Sequence, residues 1–428
     1  MRKVLLGAMA CGLFASMTSA APGAVRCGKL LDVRSGRTLD DQMVVFDAQG
    51  VILTVGPAAG AKLPESVTAV DLSAATCLPG LIDVHTHLTF NPTDNGYASL
   101  GISVPREAVT GVKNARLTLR AGFTTVRNVG ADAFTDVALR DGINAGDVEG
   151  PRMLVSGPPL GITGGHCDNN LLPLEYHYKA EGVADGPWAA RAKVRETIKY
   201  GADLIKVCAS GGVLSKGDQP GTPQYTLEEL QAITEEAHKL GRKVAAHAHG
   251  TQSIKDAIRA GIDSIEHSSL IDDEGIALAK QHGTYLVFDI YNDDFILQEG
   301  AKAGMLAESI EKEKKLGRLQ RENFRHAYQS GAKMAFGTDA GVYPHADNAR
   351  QFAKMTEWGM KPIEAIQAAT INAADLLGWA ANVGALETGH YADVIAVAGD
   401  PLSDVRVLES VKFVMKGGTV VRNELAAK

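Results

Sequence analysis

Six polar side chains of ligand type stand where this chain otherwise buries apolar ones. In LIDVHTHL, residues 81–88, His85 and His87 interrupt an apolar run one residue apart. Alternate side chains of a strand point to one face, so the two imidazoles project together, and Asp83 with them. Side-by-side imidazoles at a strand end suit a divalent metal; the plainer alternative is a polar pair where a strand leaves the core. Further along, Lys206 sits inside LIKV, His247 in VAAHAHG, His267 in SIEHSSL and Asp339 in GTDAG. A lysine facing a packed interior must be paired, neutral or modified, because a free ammonium is costly to bury. A neutral amine can add CO2 and become a carbamate, an anion whose two oxygens can bridge two metals. A Schiff-base lysine or a plain ion pair would leave four histidines and an aspartate unexplained.

A recurring unit positions these residues. A glycine precedes a short β-rich run that ends in polar or Gly residues: AGFTTVRNVG (121–130), PRMLVSGPPL (151–160), GADLIKVCAS (201–210), GRKVAAHAHG (241–250), GIDSIEHSSL (261–270), GTYLVFDIYN (283–292) and GAKMAFGTDAG (331–341). With LPGLIDVHTHL they make eight. Helical patterns such as TLEELQAITEEAHKLG and TQSIKDAIRAG lie between them. Thr226 and Thr251 are N-cap candidates, Glu229 completes a capping box with Thr226, and Gly241 and Gly261 stop the helices. Strands alternating with helices in this number predict an α/β fold, a parallel (β/α)8 TIM barrel. All six ligand-type residues then fall near the C-terminal ends of barrel strands, where barrel enzymes place their chemistry.

The two ends of the chain read differently. Residues 24–76 carry hairpin patterns with turn signals at Ser35-Gly36 and Gln49-Gly50, and residues 385–428 repeat that style. Neither set suffices for a stable sheet, so both are expected to build one small β-sandwich. The division is therefore a leader at 1–20, a β-sandwich from 21–76 with 385–428, and a barrel over 77–384. The leader reading rests on Arg2 and Lys3, the apolar run VLLGAMACGLFASM and small residues up to Ala20. That run is too short to span a membrane, and export with removal of the segment is expected. A net charge of −7 offers no footprint for nucleic acid or anionic lipid. Cys27, Cys77, Cys167 and Cys208 make no C-x-x-C pair. One pairing open to them is Cys27 with Cys77, and a buried free thiol is equally open to each. The irregular stretch 160–195 is long enough to be functional or disordered.

The ordered set H-x-H, Lys206, His247, His267 and Asp339 resembles the amidohydrolase superfamily in its binuclear form, over nearly the whole chain after residue 20. GLIDVHTHL, ITGGH, SGGVLS, VAAHAHG, SIEHSSL and GTDAGVYPH are similar to its branch of exported Xaa-Pro, Xaa-Arg/Lys and hydrophobic-type dipeptidases, whose relatives include amidases acting on ochratoxin A. The resemblance implies a hydrolase of dipeptides or N-acyl amino acids; lactones and phosphotriesters are cleaved by the same ligand set elsewhere in the superfamily. It implies His85, His87 and Asp339 on one metal, His247 and His267 on a second, and carboxylated Lys206 between them. The histidine-rich set favours zinc. Asp339 would take the proton of the attacking water. His166 in TGGHCDNN and Tyr225 in PQYTLEE are candidate donors to the carbonyl oxygen; the alternatives are a loop cap and packing at the mouth. Arg127 is placed to receive a substrate carboxylate or to pair with an internal acid. His249 and His345 are expected to shape the pocket. Asp168, Asp293 and Asp294 could receive a basic side chain, or Phe288, Tyr291 and LLPLEYHY make an apolar one. Relatives commonly form homo-oligomers.

Overall fold

The computed structural model describes residues 22–63 and 67–425, so the expected leader lies outside the described residues. The N-terminal strands are β1 (Gly23–Asp32), β2 (Arg37–Phe46), β3 (Ile52–Pro57) and β4 (Ala69–Pro79). β1 runs antiparallel to β2 and parallel to β4, and β2 runs antiparallel to β3. Gly36 (φ +70) and Gly50 (φ +72) take the left-handed backbone in the turns that the sequence marks.

The barrel strands follow: β5 (Leu81–Thr86), β6 (Phe123–Asn128), β7 (Arg152–Val155), β8 (Leu204–Cys208), β9 (Lys243–Ala248), β10 (Ser264–His267) and β11 (Tyr285–Val287). The chain then returns as β12 (Val394–Val397), β13 (Phe413–Lys416) and β14 (Thr419–Asn423). These add to the N-terminal strands in one seven-stranded sheet, ordered β14-β13-β12-β4-β1-β2-β3. Both ends of the chain fill its core, with Val25, Phe46 and Leu72 against Val394, Ala396 and Phe413. A Cys27–Cys77 disulfide ties β1 to β4. A second pair, Cys167–Cys208, joins the loop after β7 to the end of β8.

The barrel strands are parallel in two ladders, β5-β6-β7 and β8-β9-β10-β11. Parallel bridges Leu160–Val207, Leu286–Met334 and Thr86–Ala340 close the ring. The eighth segment, 331–341, is thus an irregular run bridged to both neighbours rather than a regular strand. Gly337 explains part of this: a Cβ there would lie 2.3 Å from Val287 Cγ1 and 2.8 Å from His85 Cβ. The backbone comes too close to its neighbours for any other residue.

Helices wrap the outside. α1 (Val104–Arg120), α2 (Thr135–Ala145), α3 (Pro187–Lys199), α4 (Leu227–Lys239), α5 (Thr251–Arg259) and α6 (Asp273–His282) follow successive strands. α7 (Asn292–Glu299) and the long α8 (Ala307–Gln329) come after β11. The Thr226–Glu229 capping box forms. The other cap shifts by one residue: Gly250 caps α5, and the Thr251 hydroxyl instead donates to Leu270 O at 2.6 Å. Among the described residues, no helix is long and apolar enough to cross a membrane.

Candidate metal centre

The six ligand-type residues meet in one cavity at the C-terminal mouth of the barrel. His85 comes from β5 and His87 from the residue just past its end, and their Nε2 atoms lie 3.3 and 3.1 Å from Asp339 Oδ1. Three groups each bring ligand atoms within 4.8 Å of one another: His85, His87 and Asp339; His247, His249 and His267; and His267, Asp289 and Asp339. Asp339 and His267 are shared, so the groups are contiguous. Imidazole nitrogens and carboxylates in a buried, continuous set fit divalent metal ions. His267 (φ +68), Ser268 (φ +52) and Asp339 (φ +57) adopt left-handed backbone. Such residues cost on the order of 1–3 kcal/mol each and persist where the surroundings hold them. Here Asp339 N donates to His85 O at 2.7 Å and Ser268 N to Glu266 O at 2.9 Å.

Acceptors behind the imidazoles fix which nitrogen is free. His85 Nδ1 lies 3.1 Å from Glu266 Oε2, His87 Nδ1 3.2 Å from Gly130 O, and His267 Nδ1 3.0 Å from Asp289 Oδ2. Gly130 O and Asp289 Oδ2 each take an N–H and leave Nε2 of His87 and His267 as a lone pair toward the centre, while Glu266 Oε2 stands beside His85 as an ion-pair partner. His247 is turned the other way: Nε2 faces Gly211 O at 3.1 Å, leaving Nδ1. Burial would raise the Asp339 carboxyl, but His85 and His87 outweigh it and hold the group well below the usual carboxylate range.

Lys206 reaches the cavity from β8 and is 4% exposed. Burial lowers its ammonium to about 8, against the pull of Glu266 and Asp339. A free amine is thus accessible near neutrality.

The remaining expectations divide. His166 lines the cavity, its ring stacked on His247 at 4.1 Å between centroids. Gly212 makes room: a Cβ there would lie 2.1 Å from His166 Nδ1. His166 Nδ1 is 2.8 Å from Ser215 Oγ, whose own proton goes to Asp218 Oδ1 at 2.6 Å. Ser215 therefore accepts from His166, and burial holds the ring neutral, at about 4. That tautomer leaves Nε2 an acceptor, opposite in sense to an oxyanion donor. His249 also lines the cavity, within the ligand cluster rather than beyond it.

Three expected substrate contacts lie outside the cavity. Tyr225 turns into the main core and donates its hydroxyl to Ala184 O at 3.0 Å. Arg127 is spent inside the barrel, donating to Val84 O (2.6 Å), Ser264 Oγ (3.0 Å) and Glu266 Oε1 (2.7 Å). The internal acid takes it rather than a substrate. His345 is buried behind the mouth, with Nδ1 3.4 Å from Thr118 Oγ1. Asp83 is buried too, locking the eighth segment by accepting from Thr338 Oγ1 (2.6 Å) and Asn348 Nδ2 (2.8 Å). Asp293 and Asp294 are taken by Arg321, and Phe288 packs in the core. Asp168 does line the cavity.

Several lining or supporting residues escaped the sequence reading. Glu266 and Asp289 orient the histidines. Glu313 of α8 lines the cavity, and burial pushes its carboxyl up to about 8. Asp132 and Glu181 also line the cavity, whereas Tyr178, which lines it too, belongs to the LLPLEYHY stretch that the sequence singled out. SIEH carried a signal for Glu266, since an acid buried beside a ligand histidine suits a supporting role.

A cavity of this kind at the top of a TIM barrel carrying an extra β domain defines a class. The chain belongs to the Amidohydrolase family, whose model matches residues 76–421. It is a hydrolase of amide bonds, in a family built around a divalent-metal site. An ochratoxinase of Aspergillus niger is 36% identical over 370 residues, covering 81% of this chain and 75% of that protein. A crystal structure of a Xaa-Pro dipeptidase with bound methionine matches with a TM-score of 0.89 at 36% identity, over 94% of this chain and 100% of the other. The crystal structure of A. niger ochratoxinase gives 0.83 at 30% identity, over 96% and 97%.

Proposed function

We propose that the chain is a binuclear metal-dependent dipeptidase of carboxypeptidase type, cleaving dipeptides and N-acyl amino acids, with ochratoxin A among its substrates. The observation that carries this reading is the contiguity of the three ligand groups through Asp339 and His267, with Lys206 in the same cavity. The similarity to a Xaa-Pro dipeptidase and to ochratoxinase supports the substrate class. In this reading His85, His87 and Asp339 would hold one ion and His247 and His267 the other, with Lys206, as a carbamate, an anionic ligand available to both. The histidine content favours zinc.

Bound ions would supply hydroxide at neutral pH and polarise the scissile carbonyl. The chain's own groups do the rest. Asp339 Oδ2 is oriented by Asn292 Nδ2 at 3.0 Å, and the carboxylate takes the water proton and passes it to the leaving amine. His166 Nε2, an acceptor, orients an N–H of the substrate. Lys216 at the mouth, 2.9 Å from Tyr97 Oη, is the cation available to a free C-terminal carboxylate. The paired cysteines and the N-terminal apolar segment support export into an oxidising compartment.

Metal content and release of C-terminal residues from a dipeptide library test the reading, on the native protein and Lys206→Ala. About two metals per chain with peptide cleavage, both lost in the variant, is the expected result. Retention of metal and activity by Lys206→Ala would overturn the bridging role.

A further inference from the structure

The run EKEKK, residues 311–315 of α8, reads as a solvated charge run. Glu311 and Lys314 do pair at the surface, with side chains 60% and 55% exposed, whereas Lys312 between them is 7% exposed. It lies on the buried stripe of the helix with Ser309, Leu316 and Gln320. An ammonium is costly to bury unless its donors are met. Lys312 Nζ meets all three with acceptors of one loop: Gly212 O at 3.0 Å, Ser215 O at 2.6 Å and Asp218 Oδ1 at 3.0 Å. Gly217 N adds a second strap, donating to Glu308 Oε1 at 3.2 Å. α8 thus grips the loop that follows β8.

That loop in turn holds His166. Asp218 has four partners, and all of them donate: Ser215 Oγ (2.6 Å) and Lys312 Nζ to Oδ1, Gly212 N (3.2 Å) and Gln224 Nε2 (3.1 Å) to Oδ2. An ionised carboxylate offers about four lone-pair sites and no donor, so this place suits neither an amide nor a protonated acid. Ser215 therefore spends its proton on Asp218, and its oxygen accepts from His166 Nδ1 at 2.8 Å. Gln224 runs in parallel, its Oε1 accepting from His166 N at 2.9 Å. Asp218 thus reaches His166 twice, at the ring through Ser215 and at the backbone through Gln224. Gly212, against which the ring lies, is itself held at N by Asp218 and at O by Lys312.

We infer that Asp218, held by Lys312, is a positioning residue: through Ser215 it keeps the His166 proton on Nδ1, so that Nε2 meets the substrate as an acceptor. This deepens the peptidase reading and rests on it for what Nε2 receives; the direction of the relay rests on its own bonds. A lysine spent wholly within the protein thereby sets the sense of a hydrogen bond made to the substrate, with Asp218 and Ser215 between it and His166.

The test reads the His166 ring by ¹⁵N NMR of the metal-loaded protein labelled at histidine, with His166→Gln identifying its signals. Metal content and kcat/KM on Ala-Met are measured beside it. The native ring should carry its proton on Nδ1 and none on Nε2. Asp218→Asn, Lys312→Met and Ser215→Ala should each bring in the form protonated on Nε2 and lower kcat/KM about tenfold or more, with metal content unchanged. Ser215→Thr keeps the hydroxyl and should restore the ring signals that Ser215→Ala loses. A native ring protonated on Nε2 would overturn the inference. So would an unchanged ring in Asp218→Asn, whatever the activity does, because the acid would then serve the fold alone. If Asp218→Asn does not fold, Ser215→Ala against Ser215→Thr decides the relay by the same signals. Should no dipeptide be cut, the peptidase reading fails, and the ring signals still decide the relay.

Discussion

His85 Nδ1 and Glu266 Oε2 face each other at 3.1 Å, with side-chain exposures of 1% and 0%. Glu266 also holds Arg127 through its other oxygen, at 2.7 Å. Burial would raise this carboxyl, yet Arg127 and then His85 outweigh it and keep it ionised. The acid therefore serves two neighbours, one structural and one aimed at the metal centre.

Replacing Glu266 by Gln should separate those services. Loss of the anion leaves a buried guanidinium unpaired, which costs about 3–5 kcal/mol. It also frees the His85 ring, and metal affinity should fall about 10–100-fold. Chemical denaturation and metal titration read the two effects independently. Unchanged metal affinity would mean that the His85 orientation does not depend on this acid.

Tyr225→Phe should leave catalysis alone. The variant loses one buried hydrogen bond to Ala184 O, and stability should drop by about 1 kcal/mol. kcat/KM is expected to stay within about twofold, since the ring lies in the core and not in the cavity. A tenfold fall would return Tyr225 to the substrate.

His345 sets part of the acid limb of stability. Burial lowers its imidazole to about 4, whereas the unfolded chain titrates near the ordinary value of 6.5. Below 6.5 the unfolded state takes up a proton that the native state refuses, so unfolding gains. The contribution is complete above about 6.5 and is lost as the pH falls toward 4. Tm measured across that window should decline less steeply in His345→Gln than in the native protein. Parallel curves would show that His345 contributes nothing to the limb.

The barrel and its ligands were legible because the strand units are glycine-flanked and their polar interruptions fall at strand ends. His85 and His87 obey simple alternation. Glu266 and His267 do not: alternation sends neighbours to opposite faces, but left-handed backbone at His267 lets both serve the centre. Tyr225 misled because its partner, Ala184, is 41 residues away in a loop whose path no local pattern reveals. Of the acids at the mouth, Asp168 was in view from the sequence, but Asp132 and Glu181 were not. Asp132, Asp168 and Glu181 belong to separate turns, and only tertiary folding gathers them. Arg127 illustrates a third limit, since a strand-end cation reads alike whether it meets a ligand or Glu266.

Between β4 and β5 there is a single residue, Gly80. Its N–H donates to Asp393 O at 2.9 Å, and a Cβ there would strike Thr124 Oγ1 at 2.1 Å. One nearly unbroken extended rod thus runs from the seven-stranded sheet to His85 and His87, pinned midway by the returning C-terminal chain. Such a rod transmits mechanical load. A proteolytic nick that removed β12 would strip the flank from β4 and loosen the far end of the lever, and the first sign of damage would be drifting histidines at the opposite end of the barrel.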